Sequence, residues 1–293
     1  MSGRRTQDRL PADWPNRSTS RFVRAAGLLW HVQVAGNGPV LLLIHGTGAA
    51  THSWRDMLPL LATYFTVVAP DLPGHGFTEA PAVRRQSLPG MAKGLQSLLW
   101  ALEVKPALVV GHSAGAAILL RMCLDGMIHP RLVIGLNAAL VPLGGVPGQL
   151  FSPLAKFLLG VPGVSQAFAW RARDRAVVAK LLSDTGSDVD EAGIALYARV
   201  VREPAHAASA LGMMAYWDLR PLIQDLPRLV PRLLLIVGEG DRAIPPADAT
   251  RVKALLRSTQ IVAMPKLGHL AHEEAPGATV DLIETAAREA GVV

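Results

Sequence analysis

Cysteine is almost absent from the 293 residues: Cys123 stands alone, so no internal disulfide can form. It falls in the helix expected after Ser113, where a buried, inert thiol is the plainer reading, and a reducing cytoplasm is compatible. Aromatic residues make up 5% of a chain that is 50% hydrophobic, which leaves the core to Ala, Val and Leu. No stretch of about 20 residues is apolar enough to span a bilayer. Arg4-Arg5 is followed by no apolar run, and Pro11 and Pro15 interrupt the segment, so an export signal is not expected. Long Lys/Arg runs and aromatic–basic repeats are missing too. The net charge of +6 therefore reads as solvated surface charge, and nucleic acid is excluded as a partner. The expected protein is soluble and cytoplasmic, with peripheral contact to a membrane surface left open.

What is present begins with Leu108-Val109-Val110-Gly111-His112-Ser113-Ala114-Gly115, followed by the apolar run Ala116–Leu120. This reads as a buried strand, a G-x-S-x-G turn and a helix. A serine hydroxyl is a weak nucleophile near neutral pH and needs exposure, a base and an anion-stabilising site. A tight strand-to-helix turn lifts it above the sheet, while Gly111 and Gly115 leave room for the surrounding backbone. The helix N-terminus places the Ala114 N–H beside a developing oxyanion.

Taken in order, residues 1–19 are polar and proline-interrupted and are expected to form a loosely held tail. Arg21–Ala25 and Leu29–Val34 alternate at period two, as antiparallel edge strands do. Val40–Ile44 is apolar throughout, as a strand buried on both faces should be. It ends in His45-Gly46-Thr47-Gly48, whose small residues let a backbone N–H, that of Thr47, act as a second oxyanion donor. His45 and His75 read as structural turn residues. Residues 65–70, 131–136, 232–238 and 259–264 supply further strands, and a helical spacing covers about 87–103.

Between about Pro142 and Arg220 no strand run appears, and helical spacing is broken by Pro and Gly. The expected organisation is an α/β core over 20–141 and 221–293, with a helical cap inserted over 142–220. Phe151, Leu154, Phe157, Met213, Met214 and Trp217, with His112 beside the nucleophile, are the candidate substrate-lining residues; most apolar cap residues serve the cap's own core. Lys156, Arg171, Arg173 and Arg175 could meet a carboxylate or anionic lipid, but a solvated face is the simpler reading.

Asp241 follows the strand Arg232–Gly238, and His269 follows the last strand. Ser113, Asp241 and His269 stand in a nucleophile–acid–histidine order, each at a strand end. His269 would take the Ser113 proton and Asp241 would fix the imidazole tautomer. His269, His272 and Glu273 could share a metal on one helix face, but no third ligand cluster stands out, so no metal and no cofactor is expected. A serine at the nucleophile position disfavours dehalogenase or epoxide-hydrolase chemistry, which needs aspartate there.

These motifs, with the strand and helix order around them, resemble the α/β-hydrolase fold over nearly the whole chain: a mostly parallel sheet flanked by helices, with an inserted cap. Trp14-Pro15-Asn16, Gly46–Asp56, Gly111–Ala117, Leu150–Lys156, Gly135–Leu140 and Ala215–Pro221 are similar to the BchO family, the magnesium-chelatase accessory proteins of bacteriochlorophyll biosynthesis. That resemblance implies a role near magnesium insertion into protoporphyrin IX, with magnesium-chelatase subunits as partners. Two readings stand. One is a serine hydrolase acting on an ester or related acyl bond of an apolar, tetrapyrrole-linked substrate. The other is an accessory protein whose cap binds a porphyrin or a chelatase subunit.

Overall fold

The computed structural model describes residues 10–142 and 163–293. Eight strands form one sheet in the order β1-β2-β4-β3-β5-β6-β7-β8. They are β1 (Ser20–Ala25), β2 (Leu28–Ala35), β3 (Val40–Ile44), β4 (Thr66–Pro70), β5 (Leu108–His112), β6 (Leu132–Leu136), β7 (Arg232–Gly238) and β8 (Gln260–Met264). Strand β2 runs antiparallel to both its neighbours, and every pairing from β4 to β8 is parallel. Of the two strands expected at the edge, β1 is the edge and β2 lies one strand inside it.

Parallel strands need helical crossovers that cover both faces, and the side chains of β3 and β5 show the result. Leu42, Ile44 and Val109 enter one apolar layer; Leu41, Leu43, Leu108 and Val110 enter the other. The helices are α1 (Met57–Leu61), α2 (Leu88–Ala101), α3 (Ala114–Leu124), α4 (Val164–Arg171), α5 (Arg175–Ser183), α6 (Glu191–Val201), α7 (Pro204–Tyr216), α8 (Arg220–Asp225), α9 (Ala247–Leu255), α10 (Ala271–Glu274) and α11 (Pro276–Glu289). Helices α2, α3, α8 and α9 pack on the first layer, and α1 and α11 on the second. Helix α3 sits deepest. Its Ile118, Leu119, Leu120 and Met122 are fully buried, each contributing about 1.5–3 kcal/mol of apolar transfer.

Helices α4 to α7 form an insertion between β6 and β7, and no strand occurs there among the described residues. The insertion shares an apolar cluster with the rest of the chain. Val178, Leu182, Leu196 and Val200 meet Ala49, Ala50 and Leu270, residues that flank the expected site loops. The same cluster corrects the expected loose tail over 10–19. Leu10 and Trp14 are buried in it, Trp14 packs edge-on against His52 and Phe77, and its indole N–H donates to Thr51 Oγ1 at 3.3 Å. Asp13 accepts two bonds from Arg199 of α6. The segment's overall polarity hid Leu10 and Trp14, whose burial, with the Asp13–Arg199 pair, holds it in place.

Seven of the nine histidines are buried, most of them bonded to loop backbone above the sheet. Burial holds His45, His52, His75, His112, His206 and His272 below the ordinary imidazole range, His52 and His272 to about 3. An unfolded chain takes up these protons as pH falls through about 6.5 while the native chain does not, so stability must fall on acidification. Glu273, pushed up to about 7 by burial, works in the opposite sense but supplies one proton against six. Thermal melts should therefore show a midpoint several degrees lower at pH ~5.5 than at pH ~7.5. A flat profile would mean that the native state accepts these protons.

Candidate active site

Ser113 stands between β5 and α3 with φ 50° and ψ −118°, a backbone conformation that residues with a Cβ rarely adopt. The crossing of strand and helix enforces it. A Cβ on Gly111 would lie 2.4 Å from the Ala116 nitrogen, and one on Gly115 would lie 2.2 Å from the Ile44 carbonyl oxygen. Ser113 N–H donates to the Leu136 carbonyl, and the Ser113 carbonyl accepts from Ala116 and Ala139, so the turn is held from both sides. The side chain keeps partial exposure in an otherwise buried stretch.

Two further loops converge at the C-terminal ends of β7 and β8. His269 Nδ1 lies 2.8 Å from Asp241 Oδ2, with the histidine side chain 11% exposed and the aspartate fully enclosed. The other aspartate oxygen, Oδ1, accepts the Ala243 and Ile244 N–H groups, both at 2.8 Å. Asn137 Nδ2 donates to Oδ2 at 2.7 Å and to the Gly268 carbonyl at 3.3 Å. The carboxylate is thus an acceptor of four donors, which suits it to orient an imidazole with Nδ1 protonated and Nε2 free. Among the described residues no hydrogen bond joins Ser113 Oγ to His269. Such contacts commonly tighten only when substrate is bound.

The loop after β3 lies against the turn. A Cβ on Gly46 would stand 3.1 Å from Ser113 Cβ. Neither the Thr47 N–H nor the Ala114 N–H finds an acceptor among the described residues. Both expected oxyanion donors are therefore uncommitted, one beside the serine in sequence and the other in the loop that packs on it. His45 is structural as expected: Nδ1 donates to the Gly46 carbonyl, so Nε2 is the acceptor for Leu72 N–H. His75 is buried, with Nδ1 on the Pro73 carbonyl.

Below the site runs a polar chain that joins the insertion to the histidine loop. Tyr197 of α6 donates to Glu273 Oε1 at 2.7 Å, as does Ser53 Oγ at 2.5 Å, and Arg55 donates to Oε2. With its proton given to Glu273, Ser53 accepts from His272 Nε2 at 2.9 Å. The His272 ring packs 4.5 Å from that of His112, whose Nε2 donates to the His269 carbonyl at 2.9 Å. Burial, and then the neighbouring His272 and His269, hold His112 well below its ordinary range, so it acts as a neutral donor. His112 shapes the site by fixing the His269 backbone from behind.

Of the other candidate lining residues, Phe151, Leu154 and Phe157 lie outside the described residues. Met213 is fully buried and its sulfur accepts from Thr47 Oγ1 at 4.0 Å. Met214 is half-buried, as is Trp217, which packs on the α3 side of the core. Arg171, Arg173 and Arg175 are exposed, as a solvated face would be. Among the described residues no cluster of three or more His, Cys, Asp or Glu is placed to hold a metal ion.

Sequence reasoning missed Asn137, Ser187 and Glu274. Asn137 adopts φ 44° directly after β6, and its only advance signal was an amide at the end of a buried strand. Ser187 Oγ accepts from Leu270 N–H, while Glu274 bridges the Gly268 and Asp188 amides. These residues lock the insertion onto the histidine loop, where Gly268 packs so tightly that a Cβ would meet the Gly186 carbonyl at 2.3 Å.

The sequence profile of the alpha/beta hydrolase family matches residues 41–282. The magnesium-chelatase 30 kDa subunit of Rhodobacter capsulatus is 43% identical over 271 residues, covering 91% of this chain and 93% of that protein. The 2-hydroxy-6-oxo-2,4-heptadienoate hydrolase of Pseudomonas putida is 26% identical, covering 87% of this chain and 91% of that protein. Among solved structures, the epoxide hydrolase CorEH superposes with a TM-score of 0.77 at 24% identity, covering 92% of this chain and 97% of that one. At that identity the likeness concerns the fold alone.

Asn137 offers a direct check on the acid's surroundings. Asn137→Ala removes one donor from a buried carboxylate and should cost about 1–3 kcal/mol. Urea unfolding of the two proteins measures this, and an unchanged midpoint would mean that the amide contributes nothing.

Proposed function

The chain belongs to the alpha/beta hydrolase family, and from that premise we propose that it is a serine hydrolase cleaving an ester or related acyl bond of an apolar substrate. The observation that carries this reading is the His269–Asp241 pair, a nearly buried imidazole held on a carboxylate that two backbone amides and Asn137 also bind. A chain that only needed to fold would have little use for an enclosed carboxylate aimed at an imidazole beside a strained serine turn.

The chemistry follows from those groups. Ser113 Oγ attacks the acyl carbon as its proton passes to His269 Nε2, and the Asp241 charge stabilises the imidazolium. The carbonyl oxygen becomes an oxyanion held by the Thr47 and Ala114 N–H groups, each worth a few kcal/mol in the transition state. Collapse breaks the bond to the leaving group, which takes the proton from His269. Water, deprotonated by the same imidazole, then attacks the acyl-serine and releases the acid. The helices of 163–220 act as a cap, with the half-buried Met214 and Trp217 among the residues offered to an apolar substrate, while the fully enclosed Met213 packs behind them.

The 43% identity to a protein named as a magnesium-chelatase subunit favours a setting in bacteriochlorophyll biosynthesis at the chelatase step. It also motivates the second reading, an accessory protein that binds a porphyrin or magnesium-chelatase subunits through the cap, with the serine chemistry unused.

A fluorophosphonate probe separates the two. Labelling is expected at Ser113, lost in Ser113→Ala and slowed at least about 1,000-fold in His269→Ala. A folded wild-type protein that resists the probe while retaining protoporphyrin or chelatase subunits in a pull-down would replace the first reading with the second.

A further inference from the structure

We propose that His206, on insertion helix α7, is a positioning residue for the oxyanion loop, clamping the Gly48 carbonyl and the Gly76 amide so that the Thr47 N–H stays fixed beside Ser113. The inference rests on the serine-hydrolase reading and adds to it a residue from outside the three core loops.

Both ring nitrogens of His206 are used. Gly76 N–H donates to Nδ1 at 3.1 Å, so Nδ1 carries no proton; the proton sits on Nε2, which donates to the Gly48 carbonyl at 3.0 Å. The two partners belong to different core loops, one after β3 and one after β4; His45 joins the same loops from within the core, and His206 joins them from the insertion. The ring is 2% exposed, and burial brings its pKa down to about 4, so the neutral form that the two bonds require persists across working pH.

The loop needs an external hold. Thr47 lies between Gly46 and Gly48, the latter at φ 80°, and glycines leave a segment more backbone freedom than other residues do. An oxyanion donor is effective only within about 2.7–3.1 Å of the developing charge. Helix α7 supplies the hold along one stripe. His206 takes the Gly48 carbonyl, Ser209 packs on Gly74 and accepts from Gln86 Nε2 at 3.0 Å, and Met213 meets Thr47 Oγ1. Residues 206, 209 and 213 share a helix face, and the first and last of them reach the oxyanion loop.

The test is the rate of fluorophosphonate labelling at Ser113 together with kcat and KM for a short-chain p-nitrophenyl ester, in wild type, His206→Ala, His206→Gln and Ser209→Ala. His206→Ala should lower the labelling rate and kcat about 10- to 100-fold with KM little changed. His206→Gln, whose carboxamide offers an acceptor and a donor at a similar separation, should recover most of the loss. Ser209→Ala breaks a bond in the same seam without touching the oxyanion loop, and should lower the melting temperature while leaving the labelling rate intact. If wild type labels and His206→Ala labels as fast, the clamp is refuted and the hydrolase reading stands. Equal slowing in Ser209→Ala would reduce His206 to general support of the fold and refute the proposal. If the folded wild type does not label at all, the hydrolase reading fails and the clamp fails with it.

Discussion

The close crossing of β5 and α3 governs the rest of the molecule. Backbone meets backbone there at Gly111, which lies against the Ala116 nitrogen of α3, while Gly115 of α3 lies against the Ile44 carbonyl at the end of β3, and no side chain fits at either place. That contact forces Ser113 into its left-handed conformation and aims the start of α3 at the same point. It also requires that β3, β5 and β6 lie deep in the sheet, so that strain at the turn is outweighed by two apolar layers. The acid and histidine loops can then assemble at the ends of β7 and β8 without adjusting the serine.

Buried neutral imidazoles form a second level of organisation. Each of His45, His112, His206 and His272 holds backbone or a hydroxyl with at least one ring nitrogen. An imidazole is compact, carries one donor and one acceptor, and stays neutral when enclosed, so it can join loops without the desolvation cost of an ion pair. Asp71 is a charged counterpart. Burial opposes its charge, but His31 and the Phe77 amide outweigh that and keep its carboxyl below the usual range, while it also accepts the Thr51 N–H.

Residues whose role is written into local pattern were legible in the sequence. Val40–Ile44 and Leu108–Val110 read as strand because burial on both faces leaves no polar position, and Ser113 announced itself through the glycines that its turn needs. Asp241 and His269 could be placed because each follows a strand by a few residues, and the structure brings the two together. Asn137, Ser187 and His206 could not be read, since each acts on a partner 83 to 158 positions away and sits in no distinctive local pattern. Trp14 was misjudged for the related reason that one buried indole outweighs several polar neighbours.

The insertion's attachments bear on how such a protein could have diverged. Thr185 accepts from Arg242 N–H, Ser187 from Leu270 N–H, and His206 grips the loop after β3, so the segment is bonded to the Asp241, His269 and Thr47 loops alike. It is not a detachable module. A lineage exploring new substrates could exchange those apolar side chains of these helices that lie outside the buried clusters, but transplanting the whole segment between relatives would sever the three loops from their common support. Innovation here is confined to the lining, and the frame that carries it has to be inherited whole.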